Sequence, residues 1–386
     1  MNEKQMIITI PTQINFGINA HSGLSEEVKN LGANQVFLIT DEGVSKTDFF
    51  KGVLDHLKSQ GIGFEMFSSV EPDPSAETVE KAFLQYQQKK APVLLAVGGG
   101  SSMDTAKAVG ILATNGGRIH DYEKASTYKL PLPLIAVPTT AGTGSEVSGS
   151  CVITDTQRGV KMSIRNARLN PARVAILDPL ALTSLPAHVA AHAGMDAFVH
   201  ALESYVSLQA SPLTDGMNLH AIELIAKNIR PFVAHRGNLE AGGNMLVGAS
   251  LAAIGFSNTG AGNVHCMARF VGAFFHVPHG LSNAVCLPYA AEFNMMACPG
   301  KFARAGQAMG VEISGKTELE AARATISAIK TLCEDVGIPK SIKEIGGKEE
   351  AIPKMAKLAL EANYNRWNPR FTTEEDFRRL FQKAMG

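Results

Sequence analysis

The sequence predicts an α/β domain over residues 1–186 followed by an all-helical domain over residues 187–386, and three observations support this fold class. First, short β-branched runs alternate with helical stretches in the first half of the chain, a pattern typical of a parallel sheet covered on both faces. Second, two of these runs lead directly into loops of glycine and small hydroxyl residues. Third, helical stretches follow one another beyond Pro186 with no convincing strand between them.

The first domain is predicted to contain four buried strands separated by helices. The continuous apolar runs that predict these strands are Gln35–Thr40, Gly63–Phe67, Val93–Val97 and Leu134–Pro138. Helices are predicted over Phe49–Gln60 and over Ser75–Lys90, where Ser75 is a suitable N-cap. The segment Ile8–Phe16 is interrupted by Pro11 and is predicted to be an extra edge strand or a hairpin.

The second domain is predicted from apolar residues that recur at helical spacing. The stretches that show this periodicity are Ala187–Ser207, Asp215–Ala234, Glu240–Gly255, Glu318–Gly337 and Glu349–Asn363. The pattern changes from alternating strands and helices to helices alone, and this change places the domain boundary near Pro186. The sequence contains no repeat and no low-complexity linker at this point.

Composition argues against several classes of protein. The chain has 36 Lys+Arg and 36 Asp+Glu, and a zero net charge disfavours a broad nucleic-acid footprint or attraction to an anionic membrane. Residues Met1–Thr12 lack the apolar core of a signal peptide, and no apolar run is predicted to be long enough to span a bilayer. The scattered thiols make a poor disulfide framework and a poor zinc–thiolate site, so a reducing cytoplasm is the expected setting. They are Cys151, Cys266, Cys286, Cys298 and Cys333.

A glycine-rich loop follows the predicted strand Val93–Val97. The segment Gly98–Asp104 reads GGGSSMD and runs into helix-forming residues. Glycines let the backbone approach a ligand closely, and the amides at the start of the next helix suit a pyrophosphate. The loop is neither G-x-G-x-x-G nor a Walker loop. A tight strand-to-helix turn without a ligand is the alternative.

Two further features support a dinucleotide site. The segment Pro138–Glu146 follows another predicted strand and is rich in small hydroxyl residues. Both loops leave the carboxyl ends of strands, where ligands bind in open α/β sheets. Asp41 follows the strand Gln35–Thr40, where a carboxylate bonds ribose hydroxyls and repels a 2′-phosphate, favouring NAD over NADP. Taken alone, Asp41 is more simply a turn residue.

A candidate metal site comes from the second domain. Asp196 and His200 lie four residues apart in a predicted helix and therefore share one face. His265 and His279 lie in two later segments, and one carboxylate with three imidazoles suits Fe(II) or Zn(II). His192 lies on the same helix face and is an alternative ligand. Core hydrogen bonding is the other interpretation of the Asp–His pair.

These segments together resemble the iron-containing (group III) alcohol dehydrogenases of the dehydroquinate-synthase-like superfamily. The resemblance covers essentially the whole chain. It rests on Gly98–Asp104, Pro138–Glu146, Gly194–His200 and Gly262–Gly280, in that order. It implies an N-terminal dinucleotide-binding domain and a C-terminal helical metal-binding domain.

The resemblance also implies functional residues. The implied metal ligands are Asp196, His200, His265 and His279, and His192 is not among them. The implied NAD contacts are Asp41, Gly99, Gly100, Ser101, Asp104, Thr139, Thr140, Thr143 and Lys161. In this chemistry the metal polarises the substrate oxygen and a hydride passes between the substrate carbon and the nicotinamide. Relatives are often dimers or larger, and Ile8–Phe16 is a candidate interface segment.

The chain departs from the family motif at Arg269 and Phe270, where a histidine and a proline are usual. Arginine stays charged and donates in a planar fork, so we hypothesise that Arg269 binds an anionic group on the substrate. Sulfoacetaldehyde, reduced to isethionate, is the leading candidate, followed by carboxylate-bearing semialdehydes and then by neutral short aldehydes. The alternative is that Arg269 contacts the cofactor phosphates or a structural carboxylate.

Three rival functions share this architecture. One is a lyase of the dehydroquinate-synthase type, which also uses NAD and a metal but carries several basic residues around its substrate. Another is an NAD-binding protein without catalysis, which the four filled ligand positions disfavour. The third is a zinc polyol dehydrogenase, whose ligand set typically has one Asp and two His.

Overall fold

The computed structural model describes residues 7–386, which divide into two compact units. Unit 1 ends at Leu185 and unit 2 begins at Pro186. The expectation drawn from Met1–Thr12 falls partly on residues before Ile7, and these lie outside the described part of the chain.

Unit 1 is built on a parallel sheet, as predicted. Its strands are β1 Gln13–Phe16, β2 Gln35–Ile39, β3 Gly63–Phe67, β4 Val93–Gly98, β5 Leu134–Pro138, β6 Ser150–Asp155, β7 Val160–Arg165 and β8 Val174–Leu177. Six of them form one sheet in the order β1-β8-β5-β4-β2-β3, with every pair parallel. Strands β6 and β7 form a separate antiparallel hairpin, which was not predicted. The helices are α1 Leu24–Asn30, α2 Glu42–Ser45, α3 Asp48–Ser59, α4 Ala76–Lys89 and α5 Gly100–Asn115.

Helices cover both faces of this sheet. Leu24 of α1 and Phe50 of α3 pack with Val36 on one face. Tyr86 of α4 and Val109 of α5 pack on the other face. Burial on both faces explains why the central strands are continuous apolar runs. Strand β1 lies at the edge, paired in parallel with β8, so Ile8–Phe16 contributes an edge strand and not a hairpin.

Unit 2 is helical. Its α-helices are α6 Ala187–Val206, α7 Pro212–Ala234, α8 Leu239–Thr259, α9 Asn263–Phe275, α10 His279–Met295, α11 Pro299–Ala308, α12 Glu318–Asp335, α13 Ile352–Glu361 and α14 Glu374–Met385. No strand occurs between Pro186 and Gly386, a range that the structure describes completely. The predicted fold class is therefore confirmed.

Helix α8 corrects one expectation. Its 21 residues are long and apolar enough to cross a membrane by length and composition, whereas no such run was predicted. Of its apolar stretch, 67% is buried inside the protein. There α8 packs against α6 and α7. A Cβ atom on Gly248 would lie 2.8 Å from Ile225 Cγ1, so the small residues of α8 serve close helix packing. The run is the core helix of unit 2.

Candidate metal centre and cofactor loops

Four side chains of unit 2 converge on one point. They are Asp196 and His200 from α6, His265 from α9 and His279 from the start of α10, and their donor atoms lie within 4.8 Å of one another. The Nε2 atoms of His200 and His279 lie 3.9 Å and 3.7 Å from Asp196 Oδ1. Three of the four residues are buried, and the His279 side chain is 38% exposed. The structure thus brings together the four residues predicted from the sequence.

Local backbone geometry brings α10 close to α6. A Cβ atom on Gly280 would lie 2.5 Å from the carbonyl oxygen of His192. Only glycine permits this approach, and it sets His279 beside Asp196. The His192 ring lies 5.9 Å from that of His188 and is not part of the cluster, so the alternative ligand lies elsewhere.

The electrostatics of the cluster favour an ionised Asp196. Burial alone raises the pKa of this carboxyl, but the three imidazoles and the Asn283 amide outweigh burial and hold the pKa below its usual value. Asn283 Nδ2 donates to Asp196 Oδ1 at 2.6 Å. Burial raises the pKa of the neighbouring Cys266 thiol well above its usual value.

The cluster fits a divalent cation by its donor chemistry. One carboxylate oxygen and three imidazole nitrogens form the kind of set that Fe(II) and Zn(II) accept. The buried Asn283 Oδ1 has no hydrogen-bond partner among residues 7–386, which indicates a polar occupant beside the ligands.

Sequence reasoning missed two residues of this site. Glu203 accepts a hydrogen bond from His265 Nδ1 at 2.5 Å, and Asn283 contacts three of the four ligands. Helical spacing is the signal that was available: Glu203 lies seven residues after Asp196, and Asn283 lies four residues after His279.

In unit 1 the predicted cofactor loops lie side by side. Asp41, Gly98–Asp104 and Pro138–Glu146 follow β2, β4 and β5, which are neighbours in the sheet. Asp41 Oδ2 lies 3.5 Å from where a Cβ atom on Gly98 would stand. The carboxyl ends of these strands therefore meet, as the open-sheet rule requires.

The two loops form a cradle suited to a pyrophosphate. Cβ atoms on Gly99 and Gly100 would lie 3.4 Å from Thr140 Oγ1 and 2.9 Å from Thr143 Oγ1. Gly99 is the N-cap of α5 and offers no side-chain acceptor to the first amides of the helix. The buried Ser102 hydroxyl has no hydrogen-bond partner within the described residues. This cradle fits the phosphates of NAD.

Other predicted cofactor residues lie at or near these loops. Thr139 N donates to Gly98 O at 3.0 Å, which joins the two loops directly. Lys161 Nζ lies 2.6 Å from Asp73 Oδ1, and the Asp73 amide donates to Ser101 Oγ at 3.3 Å. Lys161 is thereby connected to the glycine-rich loop through Asp73.

Asp104 makes hydrogen bonds within the protein. Its Oδ1 accepts from Ser145 Oγ at 2.6 Å, and its Oδ2 accepts from the Val152 amide at 2.9 Å. The buried Lys107 donates to Ser145 Oγ at 2.8 Å and to Ser150 O at 2.7 Å. This pair ties the helix of the first loop to the second loop and to β6.

Replacing Lys107 with methionine is expected to loosen both loops. The change leaves Ser150 O and its neighbouring acceptors without a buried donor, a loss of about 3 kcal/mol in the free energy of unfolding. Chemical denaturation and NADH titration measure the two effects, and we expect NADH affinity to fall about tenfold. Lys51→Met, which removes an exposed ion pair of α3, is the matched control. Unchanged NADH affinity in Lys107→Met would show that the two loops keep their geometry without Lys107.

Arg269 lies one helical turn after His265 on α9. The side chain is half-buried, and its guanidinium carbon lies 6.0 Å from the centroid of the Phe270 ring. Its charge lowers the pKa of Cys266 against the larger effect of burial, which raises it.

Comparison with known families gives one result for both units. A family model described as iron-containing alcohol dehydrogenase matches residues 11–179. A model described as Fe-containing alcohol dehydrogenase family, C-terminal, matches residues 190–385.

Individual relatives match along nearly the whole chain. The 1,3-propanediol dehydrogenase of Klebsiella pneumoniae is 39% identical over 387 residues, covering 100% of both chains. A solved 1,3-propanediol oxidoreductase superposes with a TM-score of 0.96 at 38% identity, covering 99% of this chain and 100% of the other. A sulfoacetaldehyde reductase from Bifidobacterium kashiwanohense, solved in complex with NAD+, superposes with a TM-score of 0.90 at 25% identity, covering 99% of both.

Proposed function

Since this chain belongs to the iron-containing alcohol dehydrogenase family, as an NAD-dependent member, we propose that it interconverts short anionic aldehydes and their alcohols. The leading candidate is the reduction of sulfoacetaldehyde to isethionate. The observation that carries the proposal is that Arg269, a permanently charged side chain, lies one turn after His265 on α9. Carboxylate-bearing semialdehydes are the next candidates.

The relatives support the reaction class and span two kinds of substrate. The curated relative from Klebsiella acts on 1,3-propanediol, which is neutral, and one structural relative acts on sulfoacetaldehyde, which is anionic. Neutral short aldehydes are therefore the alternative for this chain. Arg269 favours the anionic class because a guanidinium pairs with a sulfonate or carboxylate through two parallel hydrogen bonds.

Each part of the site has a proposed role. Asp196, His200, His265 and His279 hold one divalent cation, for which Fe(II) is our first choice and Zn(II) the second. Bound cation and nicotinamide together supply Lewis acidity at the substrate oxygen and a carrier for the hydride.

The proposed NAD site lies on the loops of unit 1. Its residues are Asp41, Gly99, Gly100, Ser101, Asp104, Thr139, Thr140, Thr143 and Lys161. Gly99 and Gly100 admit the phosphates, Thr140 and Thr143 line the same cradle, and Asp104 holds the loops together.

We also propose a homodimer, or a larger assembly built from it, and a cytoplasmic setting. Ile14 and Phe16 on the edge strand β1 are 40% and 55% exposed, and such an edge is a template for pairing with a second copy. All five cysteines are free thiols, which suits a reducing compartment.

An anaerobic assay of NADH oxidation tests the substrate class. The substrates are sulfoacetaldehyde, succinic semialdehyde and propanal, and the proteins are the native chain, Arg269→His and Arg269→Lys. We expect Arg269→His to lower kcat/KM for the charged aldehydes by about 10- to 100-fold, the worth of a charge-assisted hydrogen bond, and to leave propanal nearly unchanged. Arg269→Lys should recover part of the loss.

The same assay discriminates between the rival functions. Equal loss for charged and neutral aldehydes would assign Arg269 to the cofactor or to structure. An unchanged preference for the charged aldehydes would remove Arg269 from substrate recognition. Failure of any aldehyde to oxidise free NADH would favour a lyase or a non-catalytic NAD-binding protein.

A further inference from the structure

We propose that Glu203 is a positioning residue that fixes both the ring of His265 and the start of helix α9, and thereby sets the affinity of the site for its metal. This inference rests on the ligand set proposed above. Glu203 touches neither substrate nor cofactor in this scheme, and it acts through His265.

Both oxygens of the Glu203 carboxylate accept hydrogen bonds. Glu203 is 4% exposed, on the buried side of α6. Its Oε2 accepts from His265 Nδ1 at 2.5 Å, and its Oε1 accepts from the Val264 amide at 2.6 Å. A buried carboxylate with two such donors is held in one orientation.

The first of these bonds determines which His265 nitrogen faces the cluster. Because Nδ1 carries the hydrogen that Glu203 accepts, Nε2 carries the lone pair. Nε2 lies 3.3 Å from the amide nitrogen of Asn283, which also donates to Asp196 Oδ1. The lone pair of His265 therefore points at the same space as the Asp196 carboxylate.

The second bond anchors the helix itself. The N-cap of α9, Gly262, provides no side-chain acceptor. Glu203 Oε1 accepts from the Val264 amide, and Asn368 Oδ1 accepts from the Asn263 amide at 3.1 Å. A carboxylate at the start of this 13-residue helix is also favoured by the helix dipole.

Gly262 is required for this arrangement. A Cβ atom there would lie 3.0 Å from Glu203 Oε1 and 2.9 Å from Asn368 Oδ1. Glycine leaves room for both acceptors to reach the first turn of α9.

Helix α6 thereby controls three ligands. Asp196, His200 and Glu203 follow one another at spacings of four and three residues, so they share one face. The first two are proposed to bind the cation directly. The third orients His265 on another helix, so the cluster is preorganised by one buried helix.

Metal titration of variants tests the proposal. Metal-free native protein, Glu203→Gln and Glu203→Ala are titrated with Co(II) against a competing chelator at one fixed pH. We expect both variants to bind Co(II) 10- to 100-fold more weakly and to shift its visible absorption bands, because glutamine has one acceptor for two donors. Asp215→Asn, which alters a half-buried ion pair of α7 with Lys301, should bind like the native protein.

The outcomes separate this inference from the proposed function. Native protein that does not bind Co(II) would overturn the ligand set itself. Tight native binding that is unchanged in both Glu203 variants would overturn only the positioning role. Nitrogen NMR of the metal-free native protein adds a test that needs no variant: we expect His265 to carry its proton on Nδ1, and a proton on Nε2 alone would refute the proposal.

Discussion

His279→Ala is expected to lose nearly all activity while keeping the fold. His279 supplies one donor of the proposed cation site, and its side chain is partly exposed at the first residue of α10. Truncation there removes little packing. Loss of Lewis acidity at the substrate oxygen is worth several kcal/mol, so we expect kcat/KM to fall about 1,000-fold. Anaerobic NADH oxidation measures it, with metal content determined on the same samples.

His220→Ala is the matched control for this prediction. His220 lies on α7 in the same unit, with a largely exposed side chain beside Glu223. Its loss should change neither metal content nor activity. Bound metal and activity within tenfold of native in His279→Ala would show that three donors suffice, as in the ligand set of zinc polyol dehydrogenases.

Strands β2, β4 and β5 could be predicted from the sequence because burial on both faces gives continuous apolar runs, whereas β8 was missed although all four of its residues are buried. Gly63–Phe67 and Leu134–Pro138 have the predicted bounds. The hairpin β6–β7 was missed because its strands do not form the continuous apolar runs from which the other strands were predicted. Ile153 and Ile164 of the hairpin pack with Ile111 of α5, a contact that exists only after the domain has assembled.

Helices α9 and α10 were also not predicted from the sequence. Helix α10 is buried over most of its length, so it has no clear apolar stripe. Helix α9 is a helix of only 13 residues whose buried residues fall mostly in its first half. They are separated by only three residues, of which His276 adopts a left-handed conformation with φ of 55°. Pro288 within α10 further obscures the helix in the sequence.

The candidate site shows the same limit. Spacing alone predicted that Asp196 and His200 share a face, since both lie on one helix. The approach of His265 and His279 depends on how α9 and α10 pack, which no local pattern contains. The resemblance to a known family supplied these two residues, whereas the structure was needed to find Glu203 and Asn283 beside them.

Asp41→Asn is expected to relax the preference for NADH over NADPH. Asp41 lies at the end of β2 and plays two roles that this variant separates. Its Oδ1 caps α2 by accepting from the Val44 amide at 2.9 Å, and its charge is proposed to recognise the adenosine ribose. Asparagine keeps a capping oxygen and removes the charge. Repulsion between a carboxylate and a 2′-phosphate costs several kcal/mol, so we expect the ratio of kcat/KM for NADH over NADPH to fall about 100-fold.

Asp41→Ala distinguishes charge from structure. This variant removes both the charge and the cap, so it should show the same change in cofactor ratio together with a lower free energy of unfolding, by about 1 kcal/mol. Measuring both cofactors with the same aldehyde isolates the effect of the 2′-phosphate. A preference for NADH that persists in both variants would mean that Asp41 is only the cap of α2, and that another group in unit 1 excludes the phosphate.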